Sequence, residues 1–151
     1  MEVALYCPQI PQNTGSVARS CAAMNVPLHL IRPFPFDISE AKVKRAGLDY
    51  WPFLSLHVHE SEDAFFESMA LRRIWVLENF GNKLYSDTEF QVDDVLLFGG
   101  EIKGVPREVI ANRNLSENVL RIPMFNENVR SLNLSNSVAI VLFEGLRQIG
   151  F

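Results

Sequence analysis

The sequence predicts an α/β fold, a mostly parallel sheet with helices on both faces, and three observations lead there. Short apolar segments such as EVALYC at Glu2–Cys7 and VLLF at Val95–Phe98 alternate with segments of helical length. These strand segments are apolar throughout and not alternately polar, which is the pattern of a sheet buried on both sides. No stretch between them has the composition of a linker, so residues 1–151 read as a single domain.

Glu2–Cys7 reads as the first strand and Pro8–Gln12 as a loop. Asn13 or Thr14 can cap a helix running to about Met24, because a short side-chain oxygen there satisfies an orphan backbone donor. Pro27 leads into the strand Leu28–Ile31, and Arg32–Phe36, with two prolines, must be irregular. Ile38–Arg45 is expected to be a short helix, Phe53–Val58 a strand, Glu60–Met69 a helix, and Arg73–Leu77 and Val95–Phe98 strands. A glycine-bearing turn follows Gly99, then a helix from Pro106 to about Ala111 and the strand Val119–Ile122. The last helix runs from Ser135 to about Gln148. A surface helix shows one apolar stripe, yet Val138–Phe143 is apolar on every side and is expected to be enclosed. Its entry, RSLNLSNS at 130–137, is crowded with hydrogen-bonding groups, which suggests a polar ligand at its mouth.

Composition narrows the function classes. A chain of 151 residues can bury roughly two-thirds of its unfolded surface. With 48% hydrophobic and 21% charged residues it has the balance expected of a globular soluble protein and not of a disordered one. The apolar run Val138–Phe143 falls far short of the ~20 residues of a spanning helix, so no membrane partner is expected. The start Met1-Glu2-Val3 carries no basic region or cleavage site of an export signal. Cys7 and Cys21 lack CxxC spacing and sit in apolar surroundings, as small buried thiols in a reducing compartment do, so the expected location is cytoplasmic. A net charge of −4 is unlike most nucleic-acid binders. Basic residues at 42–45, 72–73 and 107–113, with Arg19, Arg121 and Arg130 standing alone, still permit a modest basic face.

In such sheets ligands bind beyond the carboxyl ends of strands, which singles out the loops after Leu77, Phe98 and Ile122. The sequence Gly99-Gly100-Glu101-Ile102-Lys103-Gly104 in the second of these is neither a Walker loop nor a GxGxxG fingerprint. It can be an ordinary strand-to-helix turn or a place where a ligand approaches the main chain. His57 and His59 share a strand face, but no third ligand is spaced to join them and metal sites need three or four; no metal is expected. His29 reads as a satisfied core histidine. Tyr50-Trp51-Pro52-Phe53 can stack on bases or belong to the core. Arg19 lies beside the small-residue stripe Gly15, Ala18 and Ala22, either as a solvated charge or as a planar clamp for phosphate or ribose.

Taken together, Asn13-x5-Arg19, the FGGExxG turn and RIPM followed by RSLNLSNSVA resemble the SPOUT superfamily of RNA methyltransferases. Stretches similar to IPQNTG, LHLIRP, KRAGLDYW, FGxExxG and RSLNLSNSVA point within it to the small single-domain subgroup acting on the tRNA wobble nucleotide. The resemblance covers essentially the whole chain. It implies a deep trefoil knot at the C-terminal end, S-adenosyl-L-methionine as cofactor, 2′-O-ribose methylation of tRNA, and a homodimer with a shared active site. It further implies a cofactor pocket of Leu77, Gly99, Glu101, Gly104, Ile122, Met124, Ser131 and Leu132. Arg19, Ser131 and Asn133 become the catalytic candidates, with Glu101 beside them at the reacting centre, and Asn13, Arg19, Lys44 and Arg130 the substrate-binding ones. Arg19 is expected to position the hydroxyl or an adjacent phosphate, since a guanidinium gives up its proton too reluctantly to be a ready base.

Two departures stand out. Gly100 occupies a place where many relatives have proline, which is expected to loosen the turn, and the stretch Phe125–Asn128 differs from some relatives. Other readings stay open beside this one: a ribosomal RNA substrate, an RNA-binding module without transfer activity, or a nucleotide-binding enzyme of another α/β type. The last lacks a phosphate loop and clustered metal-binding carboxylates.

Overall fold

In a computed structural model, which describes residues 1–38 and 49–150, seven strands form one sheet. They are β1 (Glu2–Tyr6), β2 (Leu28–Ile31), β3 (Leu56–His59), β4 (Ile74–Leu77), β5 (Lys83–Leu84), β6 (Val95–Gly99) and β7 (Val119–Arg121). Their order across the sheet is β3-β2-β1-β6-β4-β7-β5, and every neighbouring pair is parallel. Among the described residues the α-helices are α1 (Pro11–Ala23), α2 (Glu62–Ser68), α3 (Arg107–Asn112) and α4 (Leu134–Ile149). The helix expected at Ile38–Arg45, from residue 39 onward, and the candidate Lys44 lie outside the described residues.

Alternation along the strands explains why both faces are apolar. Val3 and Leu5 of β1, and Leu96 and Phe98 of β6, join one core with Val17, Ala18 and Cys21 of α1 and Val138, Val141 and Leu142 of α4. Ala4, Val95 and Leu97 point the other way, into a second core with Phe65 and Phe66 of α2 and Val109 and Ile110 of α3. Successive Cβ atoms alternate across a strand, so a strand clad on both sides needs apolar residues at every position. Cys21 is enclosed in the first core, where burial pushes its thiol up to about 12. Cys7 is half-buried, and its thiol is likewise raised by desolvation. Among the described residues no helix is long and apolar enough to cross a membrane.

Several expectations shift. The third strand was expected at Phe53–Val58 and begins instead at Leu56, because Trp51–Phe53 form a 3-10 turn around Pro52, which has no N–H for a ladder. The two-residue edge strand β5 is too short for a periodic pattern to reveal. Helix α1 starts at Pro11, a favoured first position, with Ile10 at the cap and no capping side chain of its own. Asn13 and Thr14 therefore do not cap it; they lie buried within its first turns. Within one chain α4 is not enclosed on every side. Leu134, Val138, Val141, Leu142, Gly145 and Leu146 are buried, while Ile140 and Phe143 stay 37% and 41% exposed. Gly150, at φ +83°, ends the helix in a left-handed cap.

Candidate active site

A cavity of about 830 Å³ opens at the carboxyl ends of β4, β6 and β7, beside the loop after β1. Leu77, Gly99, Glu101, Gly104, Ile122, Met124, Arg130, Ser131, Leu132, Asn133 and Asn13 all line it. The sheet order places this opening where successive crossovers turn opposite ways: β2 lies on one side of β1 and β6 on the other. Glu78, Asn79 and Ser137 also line the cavity and were missed by the sequence reading. The first two continue directly from β4, so the strand-end rule that selected Leu77 would have found them.

Backbone contacts shape the glycine turn. A Cβ on Gly99 would stand 2.3 Å from the Cα and carbonyl carbon of Gly104, so the two residues touch main chain to main chain. Gly104 itself has φ +66°, a region that side chains disfavour. The turn is closed by a hydrogen bond that the Gly104 N–H donates to the Gly100 carbonyl at 2.9 Å. Beside this turn Glu78 accepts the Val105 N–H at 2.5 Å. Burial raises the Glu78 carboxyl above its ordinary range, against the opposing effects of that N–H and of Arg107.

Glu101 closes the other side. It accepts the Gln9 N–H at 2.8 Å and the Ile10 N–H at 3.3 Å, and so supplies at the start of α1 the cap that Ile10 cannot. Asn13 donates to the same carboxylate at 2.9 Å, and its own carbonyl oxygen accepts from the Asn133 side-chain amide at 2.9 Å. The Asn133 oxygen in turn accepts the N–H of Ser135 at 2.9 Å and of Asn136 at 3.4 Å, capping α4. One relay, Glu101–Asn13–Asn133, thus joins the glycine turn and the N-termini of α1 and α4. It fixes residues 120 positions apart in sequence.

Arg19 does not line its own chain's cavity. Six residues on from Asn13 is about 9 Å along a helix and about a third of a turn away from it. There its guanidinium lies 4.6 Å from the centre of the Tyr50 ring, and the Tyr50 hydroxyl donates to the Gly15 carbonyl at 2.7 Å. The side chain remains exposed. The expected grouping of Arg19 with Ser131 and Asn133 is therefore not formed within one chain.

The histidines form a separate cluster. His29 is 4.8 and 5.2 Å, ring centre to ring centre, from His57 and His59. Its ring nitrogens lie 2.9 Å from His59 Nε2 and 2.8 Å from Glu2 Oε2. Burial, only partly opposed by Glu2, pushes His29 down to about 4. Among the described residues no group of three or more His, Cys, Asp or Glu is arranged to hold a metal ion.

The chain and its fold have close counterparts among known proteins. A tRNA (cytidine(34)-2′-O)-methyltransferase of Methylovorus glucosotrophus is 42% identical over 150 residues, covering 99% of this chain and 96% of that one. A structure solved for insight into the 2-OH methylation of C/U34 on tRNA matches with a TM-score of 0.88 at 44% identity, over 97% of this chain and 94% of that one. The SpoU methyltransferase AviRb of Streptomyces viridochromogenes, solved in complex with the cofactor AdoMet, shares the fold at a TM-score of 0.83 and 24% identity, over 98% of this chain and 57% of its own. The family model described as the SpoU rRNA Methylase family matches residues 1–143. With the strand-end cavity and its glycine turn, these likenesses identify the chain as a member of the SpoU rRNA methylase family.

Proposed function

We propose that this protein transfers a methyl group from S-adenosyl-L-methionine to the ribose 2′-hydroxyl of the wobble nucleotide in a tRNA anticodon loop. The observation that carries this reading is the Glu101–Asn13–Asn133 relay at a strand-end cavity, in a chain more than 40% identical along nearly its whole length to enzymes named for that reaction.

The cavity suits the cofactor. About 830 Å³ lies within the range of small-molecule sites. Leu77, Phe98, Ile122 and Leu134 offer apolar surface to an adenine, and Ser131, Asn133 and Lys103 offer polar groups to the amino-acid end. When bound, the cofactor supplies a methyl group already activated on sulfur. What remains for the protein is alignment of the hydroxyl and easier departure of its proton. Asn133, held by Asn13 on one side and capping α4 on the other, offers a rigid polar edge for the incoming ribose. Ser131 lies two residues away on the same rim. Arg130 and Arg19, both exposed, suit the phosphates on either side of that nucleotide.

Arg19 enters this scheme through a second copy of the chain. Its exposure, its absence from its own cavity and the exposed Ile140 on α4 support a homodimer in which Arg19 of one protomer completes its partner's site. A monomer at micromolar concentration in light-scattering chromatography contradicts this. Arg19→Lys retains the charge and loses the planar fork. Its turnover is expected to fall at least tenfold with cofactor affinity unchanged, and near-normal turnover removes the positioning role. We also propose that the segment leading into α4 is threaded as a trefoil knot and that the protein works in the cytoplasm, both supported by its membership in this family.

Incubation with labelled S-adenosyl-L-methionine and total RNA, followed by mapping of the modified nucleotide, tests the whole reading. Label is expected on the ribose of the wobble nucleotide. Label on a base, on ribosomal RNA or on protein alone overturns it.

A further inference from the structure

Among the described residues two carboxylates line the cavity, and they are used differently. Glu101 is occupied by three donors, the N–H groups of Gln9 and Ile10 and the amide of Asn13. Glu78 takes one, the Val105 N–H on Oε1, and its Oε2 has no hydrogen-bond partner among the described residues. Glu101 belongs to the glycine turn and reaches toward the start of α1, whereas Glu78 comes from the end of β4 and meets the turn at Gly104 and Val105. Strand β6 lies between β4 and β1, whose following loop Glu101 binds.

Those two positions assign the two ends of an elongated ligand. If the hydroxyl and the methyl-bearing sulfur meet beside Asn13 and Asn133, the nucleoside half must extend toward β4. A ribose there presents two vicinal hydroxyl donors to a carboxylate whose oxygens each have two lone pairs. Resting on the cofactor reading above, we infer that Glu78 is the specificity-determining residue that binds the ribose diol of S-adenosyl-L-methionine. Gly104 makes this approach feasible, since a Cβ there would lie 2.5 and 2.8 Å from the two Glu78 oxygens. In a partly buried site each such hydrogen bond is stronger than at the surface.

Calorimetric titration with S-adenosylhomocysteine and its 2′,3′-dideoxy counterpart tests this without turnover. The unaltered protein is expected to bind the dideoxy compound at least tenfold more weakly. Glu78→Gln keeps an acceptor for the Val105 N–H. It is expected to weaken S-adenosylhomocysteine about tenfold, with removal of the hydroxyls then costing less than threefold more. Equal affinity of the unaltered protein for both compounds overturns the inference, and that comparison needs no variant to fold. A Glu78→Gln protein as sensitive to the missing hydroxyls as the original overturns it too. Should the unaltered protein bind neither compound, the cofactor reading itself falls and the assignment of Glu78 falls with it.

Discussion

The two walls of the cavity are built by opposite means. Residues 99–104 form a wall of backbone against backbone, with Gly99 packed on Gly104 and the turn closed by the Gly100–Gly104 hydrogen bond. Facing it, residues 124–133 are mostly exposed, with Phe125 98% accessible. That segment is held at a few points: the Asn79 amide donates to the Arg130 carbonyl at 2.5 Å, Asn133 donates to Asn13, and Asn126 closes a local turn onto Asn128. The first wall has its shape before any ligand arrives. The second keeps its polar groups available, and few buried contacts mean that it opens at low free-energy cost. A site that must hold a small molecule firmly and admit a large RNA is well served by that division.

The largest expected effect is on the packed wall. Gly99→Ala forces a methyl into backbone atoms that cannot swing aside, and denaturant unfolding should show a loss of about 3 kcal/mol. A loss below about 0.5 kcal/mol would mean the wall is softer than its packing implies.

Next comes a perturbation remote from both walls, which separates binding from folding. His29 is neutral in the fold down to about pH 4, whereas an unfolded histidine titrates near 6.5. The unfolded state therefore takes up more protons between those values, so stability is intact above pH 6.5 and falls as pH drops toward 4. The loss is on the order of 2–3 kcal/mol. Denaturation midpoints from pH 7.5 to 4.5 should follow that slope, and His29→Gln should flatten it. A flat profile in the original protein contradicts the neutral buried histidine.

Asn133→Ala cuts the link between the walls. It removes the α4 cap and is expected to cost about 1 kcal/mol in thermal or denaturant unfolding. Turnover should fall well beyond the share explained by stability, because Asn13 loses its partner at the same time. Unchanged turnover would leave the relay a structural brace only. Phe125→Ala is the smallest: stability should stay within about 0.5 kcal/mol, since the ring is exposed. A larger loss would show that the open wall is packed against something after all, such as a second copy.

Much of this site could be read from residue order. The three loops were reachable because strand ends are legible from apolar runs and glycines, and Gly99, Gly104, Ile122 and Met124 fall where those runs stop. The Asn13–Glu101–Asn133 relay was not legible as a set of contacts, since hydrogen bonds spanning 88 and 120 residues leave no periodicity. Asn13 looked like a cap because its residue type favours one. The actual cap comes from Glu101, brought across by the pairing of β1 with β6. Glu78 falls within the loop that the strand-end rule selects after Leu77, but only the packing of Gly104 against its carboxylate sets it apart there.

Sequence alone determined the class, a sheet apolar on both faces, because local periodicity and turn chemistry act over a few residues. It also located the glycine turn and the polar entry to the last helix. Only the tertiary structure decided which polar groups meet, that Arg19 does not line its own chain's cavity, and that α4 leaves Ile140 exposed. Those outcomes depend on strand order and on where crossovers set distant loops. Parallel pairing joins segments far apart in the chain, and nothing in the local composition of either segment records its neighbour.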